Sequence, residues 1–217
     1  MSDIFQEVDE EVRREQLQKL WERYQNYIFA VVFVVLAAVG GWRGYDWWQA
    51  KMAAEAGAAF EAAQALSAAG KHAEAEAAFT KIATDGATRY RDLARMRAAA
   101  ELAQRDPKAA ITAYQNIADD GSVGPALRDL AGVRAGSLLM DQGSMNDARV
   151  RLEPLTTDGR PYRYTARELL ALAAWRAGDT AAAKRWFDLI VTDIQTPPAI
   201  RSRVEMLMAL FAAATGS

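Results

Sequence analysis

The chain has 217 residues, with 26 lysines and arginines against 28 aspartates and glutamates, so its formal net charge is −2. It contains no cysteine, which excludes a disulfide framework, a thiolate nucleophile, a Cys-ligated zinc site and a lipid-modified cysteine. The first 23 residues carry four basic and seven acidic side chains, so the remainder has a net charge of +1 and lacks the basic surface that nucleic-acid binding requires.

These first 23 residues form a charged head with apolar side chains at helical spacing. Ile4, Phe5, Val8, Val12 and Leu20 recur among the charges, which predicts an amphipathic helix. One interpretation is a cytoplasmic element that contacts a partner or the membrane surface. The alternative, which we favour, is a soluble helical lead that keeps the N-terminus in the cytoplasm.

An uncharged stretch of nineteen residues, 24–42, follows the head and lies between Arg23 and Arg43. A helix of this length covers the hydrocarbon core of a bilayer, which is about 30 Å thick. Aromatic side chains flank the stretch, as is typical of positions at the level of the lipid headgroups. The predicted membrane-interface residues are Trp21, Tyr24, Tyr27, Trp42, Tyr45, Trp47 and Trp48. The sequence therefore predicts one transmembrane signal anchor at 24–42 and a juxtamembrane helix at 43–52.

The basic side chains around this stretch predict its orientation. Four of them precede it within the head, whereas only Arg43 and Lys51 follow it before Lys71. Because lysine and arginine near a span are retained in the cytoplasm, we expect a cytoplasmic N-terminus and, in a bacterium, a periplasmic C-terminal domain at the inner membrane. The alternative is a cleaved signal peptide, since residues 38–40 (AVG) offer a small-x-small site. The long, acid-rich leading region favours a retained anchor.

From Ala53 onward the sequence is rich in alanine, shows none of the alternation of strands, and repeats one helix ending. The copies lie at 82–86, 117–121, 155–159 and 190–193. They are separated by 35, 38 and 35 residues, which predicts a helical repeat. Gly86, Gly121 and Gly159 are predicted to cap their helices with positive φ, and the prolines at 197–198 to stop the last copy.

Three apolar positions recur upstream of each ending on one predicted helix face. A small residue lets the second helix of a hairpin approach the first closely, and a large residue one turn later fills the space beside it. The small residues are Ala75, Ala110, Ala148 and Ala183; the large ones are Phe79, Tyr114, Leu152 and Phe187; and the third positions are Ile82, Ile117, Leu155 and Ile190.

A turn precedes each of these predicted second helices. The turns contain Gly70, Asp106-Pro107, Gly143 and Gly178-Asp179. Asp106 and Asp179 are predicted to be N-caps, and Pro107 to lie in the first helical turn.

A helical hairpin with this order of turn, small residue and large apolar residue resembles the tetratricopeptide repeat, which has about 34 residues. The match covers about 53–196, although the first helices lack the usual Trp and Tyr signature and Arg105 replaces the turn glycine of the second unit. The resemblance implies an all-α fold in which a transmembrane helix precedes an α-solenoid of about four hairpins. This solenoid is expected to occupy 53–217 and to end in a capping helix at 198–214.

The layout of the whole chain consists of a head ending in EQLQKLWERY at 15–24, a span closing in GWRGYDWW at 41–48, and degenerate repeats. It resembles the ancillary subunit of the bacterial Sec translocon. The resemblance implies an inner-membrane accessory protein that associates with the Sec translocon and with periplasmic chaperones and assists secreted or envelope proteins. The alternative is a tetratricopeptide scaffold for another envelope assembly, such as the division or cell-wall machinery.

Catalytic, cofactor-binding and metal-binding motifs are not recognisable in the sequence. His72 is the single histidine, and in the predicted turn of the first repeat a solvated polar residue is commoner than a base or a ligand. Asp119 and Asp120 form an acidic pair at a repeated helix ending, where a solvated C-terminal turn is the simpler interpretation. We therefore expect a non-enzymatic protein with no cofactor, metal or small-molecule substrate, and keep an enzyme as a third class.

The first helices of stacked hairpins line a concave surface that binds peptide segments. A register placed on each turn predicts five partner-binding residues on this surface: Arg95, Leu102, Met140, Glu168 and Trp175. An exposed tryptophan is a natural anchor for a partner. The alternative for Trp175 is that it packs between its own hairpin and the terminal helix.

Overall fold

Helices form all the regular secondary structure in residues 3–85 and 88–215, which are the residues that the computed structural model describes. The predicted all-α class is therefore confirmed. The helices are α1 (Asp3–Ala68), α2 (His72–Asp85), α3 (Thr88–Ala103), α4 (Pro107–Asp119), α5 (Pro125–Asp141), α6 (Met145–Leu152), α7 (Arg163–Arg176), α8 (Thr180–Val191) and α9 (Pro198–Thr215). The chain divides into two units, Met1–Ala54 and Glu55–Ser217.

The first unit consists of the helical backbone of α1 up to Ala54. The side chains of residues 3–20 lie outside the described part of the chain, and with them the predicted amphipathic face of the head.

The second unit is a stack of four helical hairpins and a terminal helix. The end of α1 pairs with α2, α3 with α4, α5 with α6, and α7 with α8, and α9 packs on the last pair. Apolar clusters join each hairpin to the next, so the core runs along the stack instead of closing into one centre. This arrangement confirms the predicted solenoid of about four hairpins.

The repeated face of the second helices forms this core. All twelve predicted positions are buried: the four alanines have no exposed surface, and the most exposed member, Leu155, has 8%. Phe79 shows the packing, since its ring meets the ring of Phe60 on α1 edge-on at 5.1 Å between centroids. The face predicted from the sequence is thus confirmed.

The turns inside three of the four hairpins share one conformation. Gly70, Gly143 and Gly178 have φ values of 74°, 80° and 77°, and each turn repeats two hydrogen bonds to the carbonyls of the preceding helix. The second hairpin turns at Arg105 without any positive φ, and the Asp106 side chain accepts a hydrogen bond from the Ala109 amide at 3.0 Å. Asp106 and Asp179 are N-caps as predicted.

The helix ends between hairpins differ from the prediction. Among the described glycines at these ends only Gly159 has a positive φ, 82°, so the predicted positive φ of Gly121 is wrong. The C-cap of α4 is instead Asp120, in an extended conformation. Gly86 lies outside the described residues. The α8 helix ends at Val191, before the prolines at 197–198, and Pro198 instead begins α9.

The third hairpin has the shortest second helix. Helix α6 has eight residues and continues as a 3-10 turn at Glu153–Thr156. Pro154 explains this change, because proline has no N–H for the α-helical hydrogen bond and its ring crowds the carbonyl one turn earlier. Leu155 stays buried at its repeat position despite the change.

Candidate partner-binding surfaces

The apolar stretch of α1 exposes its side chains in every direction. Within the described residues, one helix is long and apolar enough to cross a membrane: an 18-residue window in Arg23–Ala68 has a mean hydropathy of 1.8, and none of it is buried. Phe33 and Trp42 are 73% and 72% exposed. An apolar surface of this extent is typical of a segment that lipid or another protein covers.

The predicted interface residues lie at the two ends of this stretch, and all of them are exposed. They are Trp21, Tyr24, Tyr27, Trp42, Tyr45, Trp47 and Trp48. Trp21 stacks edge-on against Phe29 at 6.4 Å, and Tyr45 lies 6.3 Å from Trp48. The ammonium of Lys51 lies 5.7 Å from the Trp47 ring centroid, a cation–π contact that suits the headgroup level.

Two of the five predicted partner-binding residues are held in ion pairs. Arg95 on α3 donates from Nη1 to Oδ2 of Asp120 at 2.7 Å. Glu168 on α7 is buried and accepts two hydrogen bonds from Arg203 of α9, at 2.6 and 2.5 Å. Their charges therefore face other parts of the repeat stack.

The other three residues are buried or half-buried. Met140 is 4% exposed and belongs to the cluster between α5 and α7. Leu102 is half-buried at the end of α3. Trp175 is also half-buried, and its ring meets Phe211 of α9 edge-on at 5.4 Å. The partner-binding role of all five stays a prediction, and the structure does not place them together on one open surface.

An open groove does exist between two first helices, α3 and α5. It has a volume of about 410 Å³. We call it the α3/α5 groove; α3 contributes Leu93, Arg97 and Ala100, the turn after α3 contributes Gln104, α5 contributes Leu127, Leu130 and Arg134, and Tyr114 reaches it from α4. The predicted register on α3 missed this face because it was placed on the turn at Arg105, which is the one hairpin turn without a positive-φ glycine.

One sequence signal points to this face. Arg134 has no acidic residue three or four positions away in either direction, so no neighbour on its own helix can neutralise it.

His72 belongs to a polar cluster that joins three helices. It begins α2, and its Nδ1 lies 2.7 Å from Oε2 of the buried Glu101 on α3, whose Oε1 accepts from the Ser67 hydroxyl of α1 at 2.6 Å. His72 therefore lies beside the predicted turn with its side chain 36% exposed, but it is paired with Glu101 instead of being only solvated. Burial by itself would raise the pKa of Glu101, but the hydrogen bonds from Ser67 and His72 hold it below its ordinary value. Both partners bind the carboxylate, and this geometry does not activate the Ser67 hydroxyl as a nucleophile.

The acidic pair at the end of α4 is structural. Asp119 is exposed and accepts two hydrogen bonds from Arg151, at 2.7 and 3.2 Å. Asp120 accepts from the Ser122 amide and hydroxyl at 2.9 and 2.7 Å, in addition to Arg95. These hydrogen bonds, that of the Ser122 hydroxyl first, hold the pKa of Asp120 far below its ordinary value. Both aspartates thus lie at a solvent-accessible helix end, as expected, and both are also held by arginines.

An aspartate, Asp193, also holds the helix end of the last repeat. Asp193 accepts from the Gln195 amide at 2.9 Å, and on its other oxygen from the Tyr164 hydroxyl at 3.1 Å and from Arg167 at 3.2 Å. The Gln195 amide, followed by the Tyr164 and Arg167 side chains, holds the pKa of Asp193 below its ordinary value, although burial opposes the shift. Over the part of the chain that the structure describes, no three His, Asp or Glu side chains form a group that would hold a metal ion.

The fold and these surfaces define a helical-hairpin solenoid whose chain also carries one candidate membrane helix. The model of one protein family, described as a tetratricopeptide repeat-like domain, matches residues 18–206. The protein belongs to this family. No curated protein and no solved structure matches the chain. Domains of this family typically act as non-enzymatic scaffolds for protein–protein interaction.

Proposed function

We propose that the protein is a non-enzymatic accessory protein of the bacterial inner membrane that associates with the Sec translocon and with periplasmic chaperones, and so assists secreted or envelope proteins. One observation carries this proposal: a single family match, over residues 18–206, includes both the exposed apolar stretch of α1 and the repeats. The resemblance of the layout to the translocon's ancillary subunit supplies the particular partner.

The proposed division of the chain follows from charge and hydropathy. Residues 1–23 form a cytoplasmic head, 24–42 the membrane anchor, 43–52 a juxtamembrane helix, and 53–217 a periplasmic repeat domain. The anchor brings the protein to its membrane partner, because helix association in lipid depends on specific shape rather than on apolarity. The repeats meet soluble chaperones or clients, because stacked helical hairpins form extended surfaces of the kind that bind partner segments.

Affinity purification of the full chain from membranes in mild detergent tests this function. We expect the translocon subunits to co-purify in near-stoichiometric yield, as quantified by mass spectrometry. Retention of division or cell-wall proteins without translocon subunits supports the alternative scaffold role and contradicts the proposal.

The matched control replaces residues 28–39 by an unrelated apolar span of equal length. This variant should remain in the membrane and lose most of the co-purifying translocon, because its helix surface no longer fits its partner. If recovery of the translocon is unchanged, the repeats and not the anchor make the contact with the membrane partner.

A further inference from the structure

The α3/α5 groove carries two arginines without ion-pair partners. Arg97 and Arg134 project from facing helices and are exposed. Neither lies within ion-pair distance of a carboxylate in the described part of the chain, whereas Arg95, on the same helix as Arg97, is paired with Asp120 at 2.7 Å. Glu101, one turn from Arg97, already accepts from Ser67 and His72. No acidic residue lines the groove, so the lining itself carries net positive charge, although the Glu101 carboxylate interacts electrostatically with Arg97 from one turn away.

A third donor lies at the floor of the groove. Tyr114 is only 4% exposed, yet it lines the groove, and its hydroxyl makes no hydrogen bond with any residue that the structure describes. The hydroxyl oxygen is not among the buried polar atoms that lack a partner in the described residues, so it reaches the surface of the groove, where solvent or a ligand can meet it. Burial raises the pKa of Tyr114, although Arg134 and Arg97 oppose the shift. The hydroxyl therefore keeps its proton and is available as a donor.

Apolar side chains surround these three donors. Leu93, Met96, Leu127 and Leu130 contribute to the groove, and Leu93 is 40% exposed. Guanidinium groups hydrogen-bond strongly to carboxylates, and a surrounding with little water strengthens such bonds. The chemistry that fits this groove is an anionic oxygen group flanked by aliphatic side chains.

We propose that the α3/α5 groove binds a segment of a partner protein in which a glutamate or aspartate lies beside leucine-like side chains, with its carboxylate accepting hydrogen bonds from Arg97, Arg134 and Tyr114. This inference rests on the protein-binding role proposed for the repeats, but not on the identity of the membrane partner.

Binding of two matched peptides to the full chain in detergent micelles tests the proposal. The fluorescently labelled probes are GSLEELSG and GSLQQLSG, which differ only in the charge of the two central residues. We expect the glutamate peptide to bind about tenfold more tightly in fluorescence anisotropy, since hydrogen bonds to a charged group are the stronger ones. The difference should shrink as salt is added. Equal affinities, or no binding of either peptide, would overturn the proposal.

Three substitutions test which side chains of the groove donate hydrogen bonds to the carboxylate of the peptide. Arg97→Gln and Arg134→Gln should each weaken binding of the glutamate peptide about tenfold, and Tyr114→Phe severalfold, while the glutamine peptide is unaffected. Arg176→Gln is the control, because this exposed arginine pairs with Asp141 at the end of α7 and is not part of the groove. Equal weakening of both peptides, with the thermal midpoint unchanged, would contradict recognition of the carboxylate.

The two proposals fail separately. Absence of translocon subunits from the purified, unsubstituted protein counts against the accessory function, whatever the peptides do. If translocon subunits co-purify but the unsubstituted protein does not discriminate between the two peptides, only the groove proposal is lost.

Discussion

Gly132 and Gly136 of α5 lack a Cβ, and this allows α5 to pack closely against the second half of its hairpin. A Cβ built on Gly136 would lie 2.5 Å from Cγ of Leu152, and one built on Gly132 would lie 3.0 Å from Cδ1 of Leu155. Leu152 has no exposed surface, so it has little room to move aside in a close-packed interior. These two contacts set the distance between the helices of the third hairpin.

Gly136→Ala should therefore destabilise the protein, by about 1–3 kcal/mol of unfolding free energy, because its methyl group overlaps Leu152. Alanine has a higher helix propensity than glycine, and this difference offsets about 1 kcal/mol of the destabilisation. Denaturant unfolding of the full chain in detergent measures the change. Gly121→Ala is the matched control, since no atom lies within 4 Å of its built Cβ and its φ is not positive. Equal unfolding midpoints for the two variants would contradict the close approach at Gly136.

Trp175 tests whether a predicted partner anchor is instead a packing residue. Its ring contacts Phe211, and both lie in the cluster that joins α7, α8 and α9. We expect Trp175→Ala to lower the unfolding free energy by about 2–4 kcal/mol, because it empties an aromatic site between the last hairpin and α9. Calorimetry measures the loss. Unchanged stability together with loss of a co-purifying periplasmic partner would instead assign Trp175 to binding.

At the scale of helices and turns, aspartates hold the end of a second helix to the first helix of its own hairpin. Asp120 binds Arg95 of α3, and Asp193 binds Arg167 and Tyr164 of α7. Each aspartate also organises the turn that follows, by accepting a hydrogen bond from the amide two residues later. The recurring helix ending in the sequence thus has a structural cause in at least these two repeats.

These aspartates make stability depend on pH. Their pKa values lie below the ordinary 3.8 in the folded protein, so their contribution is fully present above that pH and is lost as the pH falls through the lower folded values. Asp120→Asn and Asp193→Asn should each lower the thermal midpoint at neutral pH and make it fall less steeply below about pH 4.

Thermal unfolding of the full chain between neutral and acidic pH provides the measurement. Asp147→Asn is the control, since Asp147 is exposed on α6 and makes no ion pair within the described residues. If all three variants follow the slope of the unsubstituted protein, the two aspartates do not hold their hairpins as inferred.

At the scale of the whole molecule, the proposed topology depends on four basic residues in the head. A reporter enzyme that is active only after export, fused behind Ser217, should be active, because arginines and lysines retain the head in the cytoplasm. Replacing Arg13, Arg14 and Lys19 by glutamine should reduce this activity by weakening the charge bias. Two results would contradict this topology: activity at the same site of a reporter that works only in the cytoplasm, or cleavage of the protein so that its N-terminus is Gly41.

Much of the fold was predictable because its signals are local and periodic. Three buried positions recur in each of the four repeats, and helical spacing is enough to recognise them. Helix ends were less predictable. Gly121 follows an aspartate at the same repeat position as Gly159 but has no positive φ, because the Asp120 side chain accepts a hydrogen bond from the Ser122 amide and makes the turn instead.

The residues of the candidate site were less predictable from the sequence than the fold. The first helices are predicted to line the open surface, and α3 and α5 do line a groove, but the two predicted residues on α3, Arg95 and Leu102, do not line it. Arg95 is paired with Asp120, whereas Arg97 lines the groove and makes no ion pair in the described residues. Both are arginines on the same helix, so composition and spacing do not distinguish them.

By itself the sequence determined the helical class, the repeat length, the buried face of each second helix and the apolar stretch that is long enough to span a membrane. Each of these is recorded in the composition of a continuous segment or in the spacing of residues along the chain, which the sequence shows directly. Only the tertiary structure decided which charges are neutralised and which remain free for a ligand. The ion pairs join residues 25 positions apart, as in Arg95 and Asp120, or 35 apart, as in Glu168 and Arg203. Pairing at such separations depends on how the hairpins stack, because only stacking brings these side chains within hydrogen-bond distance.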